Sequence, residues 1–325
     1  MNAATTIWLE TCLAPIAAFL AQDTITDIWI NRPGEAWIER LGGGIERHPA
    51  PDLTTALLQR MARQIAALTA QGINREHPIL SAALPTGERV QVVIPPATRG
   101  HVAVAIRKHV SAGIELADYH ANGAFSQTVL ERGAGANSVP AHHAAPTDPL
   151  ELLRKAVLDR QNILISGGTS SGKTTFLNAL LRVVPDHERL ILIEDTPELQ
   201  MTHANAVGLL SARSALGEAS VTAEDLLIAS LRMRPDRIIL GEIRGSEAAT
   251  FLRAVNTGHP GSITTIHADT PERAIDQLAL LVLQTGIRMA WEDVVTYVRR
   301  SLGVIVQLQR GPQGREISQI LQVAA

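Results

Sequence analysis

The 325-residue sequence is short of cysteine and of aromatic side chains, and it has no excess of one charge. Its single cysteine, Cys12, excludes an internal disulfide and a cysteine-based zinc cluster, and it fits a reducing, cytoplasmic setting. Four Trp, two Tyr and four Phe leave few platforms for stacking nucleic-acid bases. The formal net charge is only −3, so the basic surface typical of nucleic-acid binding is missing too.

Long apolar runs are also absent. No stretch approaches the roughly 18 residues of a membrane-spanning helix, so we expect a chain that does not cross a bilayer. The N-terminal segment 1–21 is apolar, but no basic residue precedes Arg32, which argues against a secretory signal peptide. Apolar residues from Leu9 to Leu20 recur at helical spacing. We interpret this segment as an amphipathic helix packed on its own domain, with docking to a membrane surface as the alternative.

Composition divides the chain into an N-terminal α+β domain (1–132), a linker (133–149) and a C-terminal domain (150–325). The linker is rich in Gly, Pro, Ser and His and has almost nothing to bury. Whether it carries the first domain over a neighbouring subunit stays open. The first domain is expected to contain a hairpin and a helix followed by two strands: Thr24–Ile30 and Glu35–Glu39, Asp52–Ala70, Val90–Ile94 and Val102–Arg107.

The C-terminal domain alternates short apolar runs with helical segments, which predicts a mainly parallel α/β sheet. The predicted strands are Asn162–Ser166, Leu190–Glu194, Arg237–Glu242, Ser262–His267 and Gly303–Leu308. The predicted helices are Gly172–Val183, Ala223–Met233, Ser246–Asn256, Pro271–Leu283 and Trp291–Arg300. Ligands of such sheets bind beyond the carboxyl ends of the strands, so the functional residues are expected there.

A phosphate-binding loop follows the first of these strands. Its residues match G-x-x-x-x-G-K-[ST] between a strand and a helix, the context that this motif requires. Lys173, one of only three lysines, is predicted to contact the β- and γ-phosphates, and the Thr174 hydroxyl is predicted to bind Mg²⁺. The predicted nucleotide-binding residues are Gly167, Gly168, Thr169, Ser170, Ser171, Gly172, Lys173, Thr174 and Thr175.

Hydrolysis also needs a carboxylate that orders water and a group that senses the γ-phosphate. Glu194 and Glu242 each end a predicted strand, so both are expected near Lys173 and the metal, partly through water. We favour Glu242 as the residue that polarises water, and the reverse assignment to Glu194 stays open. His267 ends another strand and is the candidate γ-phosphate sensor, whereas His259 is interpreted as holding a loop.

Four ordered motifs resemble those of the secretion and traffic ATPases. They are the phosphate loop Gly167–Thr174, the acidic box Ile193–Thr196, the stretch Leu231–Gly245 and the histidine box Gly258–Ala268. The chain is most similar to type IV secretion ATPases, the family of the eleventh VirB component. Asp27–Glu35, Leu84–Val90 and Ala105–Lys108 resemble the N-terminal domain of that family.

The resemblance implies a RecA-like second domain, ATP as the nucleotide and a homohexameric ring in the cytoplasm, peripherally associated with the inner membrane. Other secretion components, including other secretion ATPases, would be its partners. Arg107 matches a first-domain arginine that approaches the phosphates, and Arg244 matches one that follows the carboxylate strand. Arg213, Arg232 and Arg234 are weaker candidates for a subunit interface.

Three alternatives remain at this stage. One is a related ATPase of conjugal transfer or of a pilus. The second is a P-loop kinase of small molecules, and the third is a ring protein that handles DNA, although specific nucleic-acid binding is not expected from the composition.

Overall fold

A computed structural model describes residues 3–41, 43–108, 113–133, 148–213, 220–311 and 314–323. The chain divides into two compact units, one formed by Met1–Ala112 with Ala212–Thr222 and the other by Gly113–Ser211 with Ala223–Ala325. The fold class predicted from the sequence, an α+β unit followed by a RecA-like unit with a mainly parallel sheet, is confirmed.

The first unit is a six-stranded antiparallel sheet with helices against it. Its helices are α1 (Ala3–Leu13), α2 (Ala17–Leu20) and α3 (Thr55–Leu68), with a 3₁₀ turn at Ala14–Ile16. Its strands are β1 (Ile25–Ile30), β2 (Gly34–Arg40), β3 (Ile45–Ala50), β4 (Ile79–Ala83), β5 (Arg89–Val93) and β6 (Ala103–Arg107). Their order across the sheet is β3-β2-β1-β6-β5-β4.

The N-terminal helix packs on its own unit, as predicted. Leu9, Cys12 and Ile16 are buried in the same apolar core as Met61 and Ile65 of α3. Removing such side chains from water stabilises the unit by about 1.5–3 kcal/mol for each large residue. Within the described part of the chain, no helix is both long and apolar enough to span a membrane.

A buried carboxylate secures the turn between β1 and β2. Gly34 has φ +87°, the left-handed conformation that the predicted Pro-Gly turn requires. Glu35 next to it accepts hydrogen bonds from Arg32 Nε (2.9 Å), Trp37 Nε1 (3.1 Å) and Arg47 Nε (2.7 Å). These donors, Arg32 first, lower the pKa of Glu35 to about 2.

The second unit is an eight-stranded sheet with helices on both faces. Its helices are α4 (Leu116–Ala121), α5 (Pro149–Leu158), α6 (Lys173–Leu181), α7 (Ala223–Ser230), α8 (Glu247–Asn256), α9 (Pro271–Gln284) and α10 (Trp291–Ser301). Its strands are β7 (Val129–Arg132), β8 (Ile163–Gly167), β9 (Leu190–Glu194), β10 (Ala206–Leu210), β13 (Arg237–Leu240), β14 (Ile263–Ile266), β15 (Val304–Gly311) and β16 (Gly314–Gln322). The short strands β11 (Ala212–Arg213) and β12 (Ser220–Val221) pair with each other and belong to the first unit.

The strand order is β10-β9-β13-β14-β8-β15-β16-β7, and neighbours run parallel except for the hairpin β15–β16. Apolar side chains fill a core on each face, which explains why the central strands are apolar almost throughout. The carboxyl ends of β8, β13 and β14 therefore lie side by side at one edge.

The division between the units lies earlier than the predicted boundary at residue 132. Strand β7 pairs with β16, and the Thr128 hydroxyl donates to the Ile317 carbonyl at 2.6 Å, so this segment belongs to the second sheet. Four residues, all exposed, are too short a pattern to predict such a strand. Most of the predicted linker, residues 134–147, lies outside the described residues.

A buried ion pair fixes the start of β13. Arg237 is fully buried and binds Glu188 through two hydrogen bonds of 2.6 and 3.0 Å. Its Nη1 also donates to the carbonyls of Val157 (2.8 Å) and Gly261 (3.4 Å). These four hydrogen bonds fix the buried guanidinium, so the strand that leads to Glu242 starts from an anchored position.

Candidate functional site

The phosphate loop lies between β8 and α6, as the motif predicts. Ser170 (φ +60°) and Gly172 (φ +93°) adopt left-handed conformations, which fold the loop back over the end of β8. A Cβ at Gly167 would lie 2.5 Å from Ser171 Oγ and 2.7 Å from the carbonyl oxygen of Leu308, so only glycine fits there. The loop is therefore built around a close approach of β15.

Lys173 is folded into this loop. Its side chain is buried, and Nζ donates to the carbonyls of Gly167 (2.8 Å) and Gly168 (3.0 Å). The ammonium thus lies at the mouth of the loop, where the positive end of α6 also points. Both the ammonium and the helix end favour binding of an anion at this position.

The loop residues fit a bound phosphate chain. Ser171 Oγ is buried and has no hydrogen-bond partner among the residues that the structure describes. Such an orphan is satisfied when a ligand oxygen approaches it. Thr174, the second residue of α6, is half-buried at the same end, where its hydroxyl could bind Mg²⁺.

His267 connects the loop to the next carboxylate. Its Nδ1 lies 3.2 Å from Lys173 Nζ, and its Nε2 lies 2.8 Å from Glu242 Oε1. Burial lowers the pKa of His267, the charges of Lys173 and Arg244 lower it further, and Glu242 opposes them. Nδ1 of a neutral ring accepts a hydrogen bond from Lys173 Nζ, whereas Nε2 lies close to Glu242 Oε1, an oxygen that has no hydrogen-bond partner among the described residues.

Arg244 covers the other side of Glu242. Its Nε donates to Glu242 Oε2 at 2.8 Å, Nη2 contacts the same oxygen, and Nη1 lies 3.3 Å from Asp195 Oδ2. Burial alone would lower the pKa of Arg244, but the hydrogen bond and charge of Glu242, together with Asp195, raise it above its usual value. Lys173, His267, Glu242, Arg244 and Asp195 therefore form one continuous polar cluster.

Glu194 has a different setting from Glu242. It is buried, and its Oε2 accepts hydrogen bonds from the backbone amides of Glu198 and Leu199, both at 2.8 Å. It therefore holds the loop after β9, whereas Glu242 faces His267. Glu247 does the same for the next loop, accepting from the amides of Arg244 (2.6 Å) and Gly245 (2.8 Å).

The other sequence candidates lie outside this cluster. His259 Nδ1 lies 3.1 Å from the carbonyl oxygen of Pro235, so its predicted role in holding a loop is confirmed. Arg107 belongs to the first unit, where its backbone lies opposite Asp27 of β1 and Arg89 of β5 in the strand register. Its predicted approach to the phosphates stays a prediction, as do the interface roles of three further arginines: Arg213, Arg232 and Arg234.

Sequence reasoning missed Arg315 of β16. Its Cδ would lie 2.7 Å from a Cβ at Gly172, and its Nη1 donates to the Thr175 hydroxyl at 3.4 Å. The two residues are 140 positions apart, and no motif surrounds Arg315, so only the sheet topology brings it to the loop.

The strand-loop-helix cradle, the lysine within it and the carboxylate at the end of a neighbouring parallel strand define a P-loop nucleoside triphosphatase. Residues 10–319 match the family described as "Type II/IV secretion system protein". The chain belongs to this family.

Individual relatives agree with this assignment. The chain is 38% identical to the type IV secretion system protein VirB11 of Bartonella henselae, with 92% of this chain and 88% of that protein covered. It is 35% identical to VirB11 of Agrobacterium fabrum, over 96% and 92%. The structure of the pilus retraction motor PilT with bound ADP has the same fold, with a TM-score of 0.62, 21% identity and coverage of 98% and 83%.

Proposed function

We propose that this protein binds ATP with Mg²⁺ at the Lys173 loop and hydrolyses it to drive type IV secretion or conjugative transfer. The observation that carries the proposal is the contact line from Lys173 through His267 to Glu242, at the ends of three adjacent strands. The related VirB11 proteins are named as type IV secretion proteins, and PilT as a pilus retraction motor. Both names fit a motor that works on a transport machine.

The two carboxylates divide the work in this proposal. Glu242 polarises the attacking water, since its Oε1 faces His267 and not a backbone amide. Glu194 holds the loop after β9 and helps to place the metal's waters. Thr174 would bind Mg²⁺ directly, and the metal, when bound, neutralises charge on the phosphates.

Lys173 and His267 act as a pair. Before nucleotide binds, the Lys173 ammonium is satisfied by two loop carbonyls and by His267 Nδ1. A β- or γ-phosphate oxygen replaces these weaker acceptors, because charge-assisted hydrogen bonds are the stronger ones. His267 Nδ1 then loses its contact with Lys173. Because Nε2 of the same ring lies beside Glu242, binding of the γ-phosphate changes the surroundings of that carboxylate.

Before nucleotide binds, the Arg244 guanidinium compensates the negative charge of Glu242 through Nε and Nη2. We expect nucleotide and a neighbouring subunit to draw Arg244 from Glu242 towards the phosphates, which frees the carboxylate to act as a base. Arg107 would approach the phosphates from the first unit. An arginine that arrives only on closure links hydrolysis to movement.

By family resemblance, the working form is a homohexameric ring on the cytoplasmic side of the inner membrane. It would contact that membrane peripherally and act with other secretion components, including other secretion ATPases. Specific nucleic-acid binding is not part of the proposal. Light scattering with and without ATP and Mg²⁺ tests the ring, and a lone subunit with full turnover under every nucleotide condition would contradict it.

Three variants test the site. Lys173→Ala should abolish ATP binding and phosphate release, because the loop loses its only side-chain cation. Glu242→Gln should keep ATP binding but slow phosphate release by about 10²–10⁴-fold, the usual effect of losing a general base. Glu194→Gln is the matched carboxylate control and should slow it less.

The outcomes separate the candidate functions. A larger loss in Glu194→Gln than in Glu242→Gln would reverse the two roles. Unaltered turnover in Lys173→Ala would refute the site. Phosphate that appears on an added acceptor and not in water would indicate the small-molecule kinase.

A further inference from the structure

Arg315 lies against the first turn of α6. Its aliphatic part packs at Gly172, where an added Cβ would meet Cδ at 2.7 Å and Nε at 3.2 Å. Its guanidinium reaches the Thr175 hydroxyl through Nη1 at 3.4 Å. The side chain therefore lies beside the helix end to which the phosphate chain binds.

The sheet order places Arg315 opposite the hydrolytic carboxylate. The loop follows β8, Glu242 follows β13 two strands away on one side, and Arg315 lies on β16 two strands away on the other. With strands about 4.8 Å apart, each position is roughly 10 Å from β8 across the sheet. A phosphate chain whose γ end lies at Lys173, His267 and Glu242 therefore has its α end towards β16.

The positive charge of Arg315 is not compensated by a carboxylate of the described residues. Among the described residues, Arg315 forms no ion pair with a carboxylate, and its side chain is exposed. Burial raises the pKa of the nearby Tyr119 hydroxyl to about 12, and the positive charge of Arg315 opposes that rise. The guanidinium thus lies beside α6, with donors left over for a ligand.

We propose that Arg315 binds the α-phosphate of the nucleotide, on the side of the loop opposite Glu242. The planar guanidinium suits phosphate oxygens and forms two parallel hydrogen bonds with them. The inference rests on the proposed nucleotide site, and it deepens that site by assigning its third phosphate position. Arg315 is a binding residue here, since it lies away from the γ-phosphate that reacts.

The test compares Arg315→Ala, Arg315→Lys and a control, Arg154→Ala, in the full chain. Arg154 is an exposed arginine of α5 in the same unit, and its ion pair with Glu151 is long, at 4.0 Å. Calorimetry would measure the dissociation constants of ATP, ADP and inorganic tripolyphosphate, and phosphate release would give kcat and KM. Thermal unfolding without ligand would check that each variant keeps its fold.

We expect Arg315→Ala to weaken ATP, ADP and tripolyphosphate alike by about tenfold, or ~1.4 kcal/mol. KM should rise to match, while kcat stays within about twofold, because the contact is equal in ground and transition states. Arg315→Lys should lose about threefold, since it keeps the charge without the paired geometry. Arg154→Ala should match the parent protein.

Other outcomes overturn the assignment. Unchanged affinities in Arg315→Ala would remove Arg315 from the site while leaving the proposed function intact. A loss for ATP alone would move it to the γ end, and a loss for nucleotides but not tripolyphosphate would move it to the nucleoside. A parent protein that binds none of the three probes would refute the proposed function and this inference together.

Discussion

Replacing Arg237 tests how β13, and with it Glu242, is held in place. Arg237→Met keeps much of the side-chain volume but removes the guanidinium that binds Glu188. Among the described residues, the buried carboxylate would then keep Arg160 as its partner, whose Nη2 lies 3.4 Å from Glu188 Oε1. The carbonyls of Val157 and Gly261 would also lose a donor.

The expected loss of stability is about 3–5 kcal/mol. Breaking a buried ion pair by removing one partner costs this much, because the other charge is left without compensation. Arg160 limits the loss, but it is 39% exposed and so offsets only part of it. The double variant Glu188→Leu/Arg237→Met removes both charges and should recover most of the stability, since an apolar pair of similar size is often neutral in effect.

Urea unfolding of the full chain, followed by circular dichroism, measures the effect. The transition of the second unit is the one that ADP shifts to higher urea, since ligand stabilises only the folded site. With slopes of about 2–3 kcal/mol per molar urea, the midpoint of the urea transition should fall by roughly 1–2.5 M.

The pH dependence gives a second readout. Burial opposes ionisation of Glu188, but Arg237 outweighs it and the pKa of Glu188 is lowered from 4.5. The pair therefore stabilises the protein fully above pH 4.5. This stabilisation is lost as the pH falls below 4.5 and through the lowered pKa of Glu188. The difference in the free energy of unfolding between the parent protein and Arg237→Met should become smaller as the pH is lowered. A single variant within about 1 kcal/mol of the parent at neutral pH, or a double variant as unstable as the single, would refute the reasoning.

Two further predictions concern the phosphate loop and the first unit. Gly167→Ala should destabilise the protein by about 1–3 kcal/mol and weaken nucleotide binding, because its Cβ would meet a backbone oxygen of β15 at 2.7 Å. Gly168→Ala, with open space around the new methyl group, is the matched control in the same thermal and binding assays, and equal losses in both would count against the close-approach argument. Glu35→Gln should remove a pH dependence of stability: the contribution of Glu35 is present above pH 4.5 and is lost as the pH falls towards 2. Identical acid unfolding of the parent and Glu35→Gln would contradict that role.

Features that depend on a local sequence pattern, such as the central strands, the phosphate loop and the first turn, could be predicted from the sequence. The central strands of the second unit are apolar on both faces, so β9 was predicted with its observed bounds, Leu190–Glu194, and β8 within one residue. The phosphate loop was predicted because its glycines and Lys173 are needed at fixed spacing. The turn at Gly34 followed from its Pro-Gly pair.

Features that depend on distant contacts were missed. Strand β3 is mostly exposed and contains Pro49, so it lacks an alternating pattern. The buried pair of Arg237 and Glu188 joins residues 49 positions apart. The sequence places Glu194 and Glu242 at equivalent strand ends. The structure distinguishes them, because Glu194 accepts from the amides of the following loop whereas Glu242 contacts His267 and Arg244.

The position of β7 affects how the second unit should be isolated. A recombinant fragment cut at residue 150 would discard the strand that covers β16, together with the Thr128 hydroxyl that donates to Ile317. The exposed backbone of β16 would then be free to pair with another molecule, which favours aggregation. A fragment that starts at residue 113 keeps this border of the sheet covered, beside the hairpin that presents Arg315.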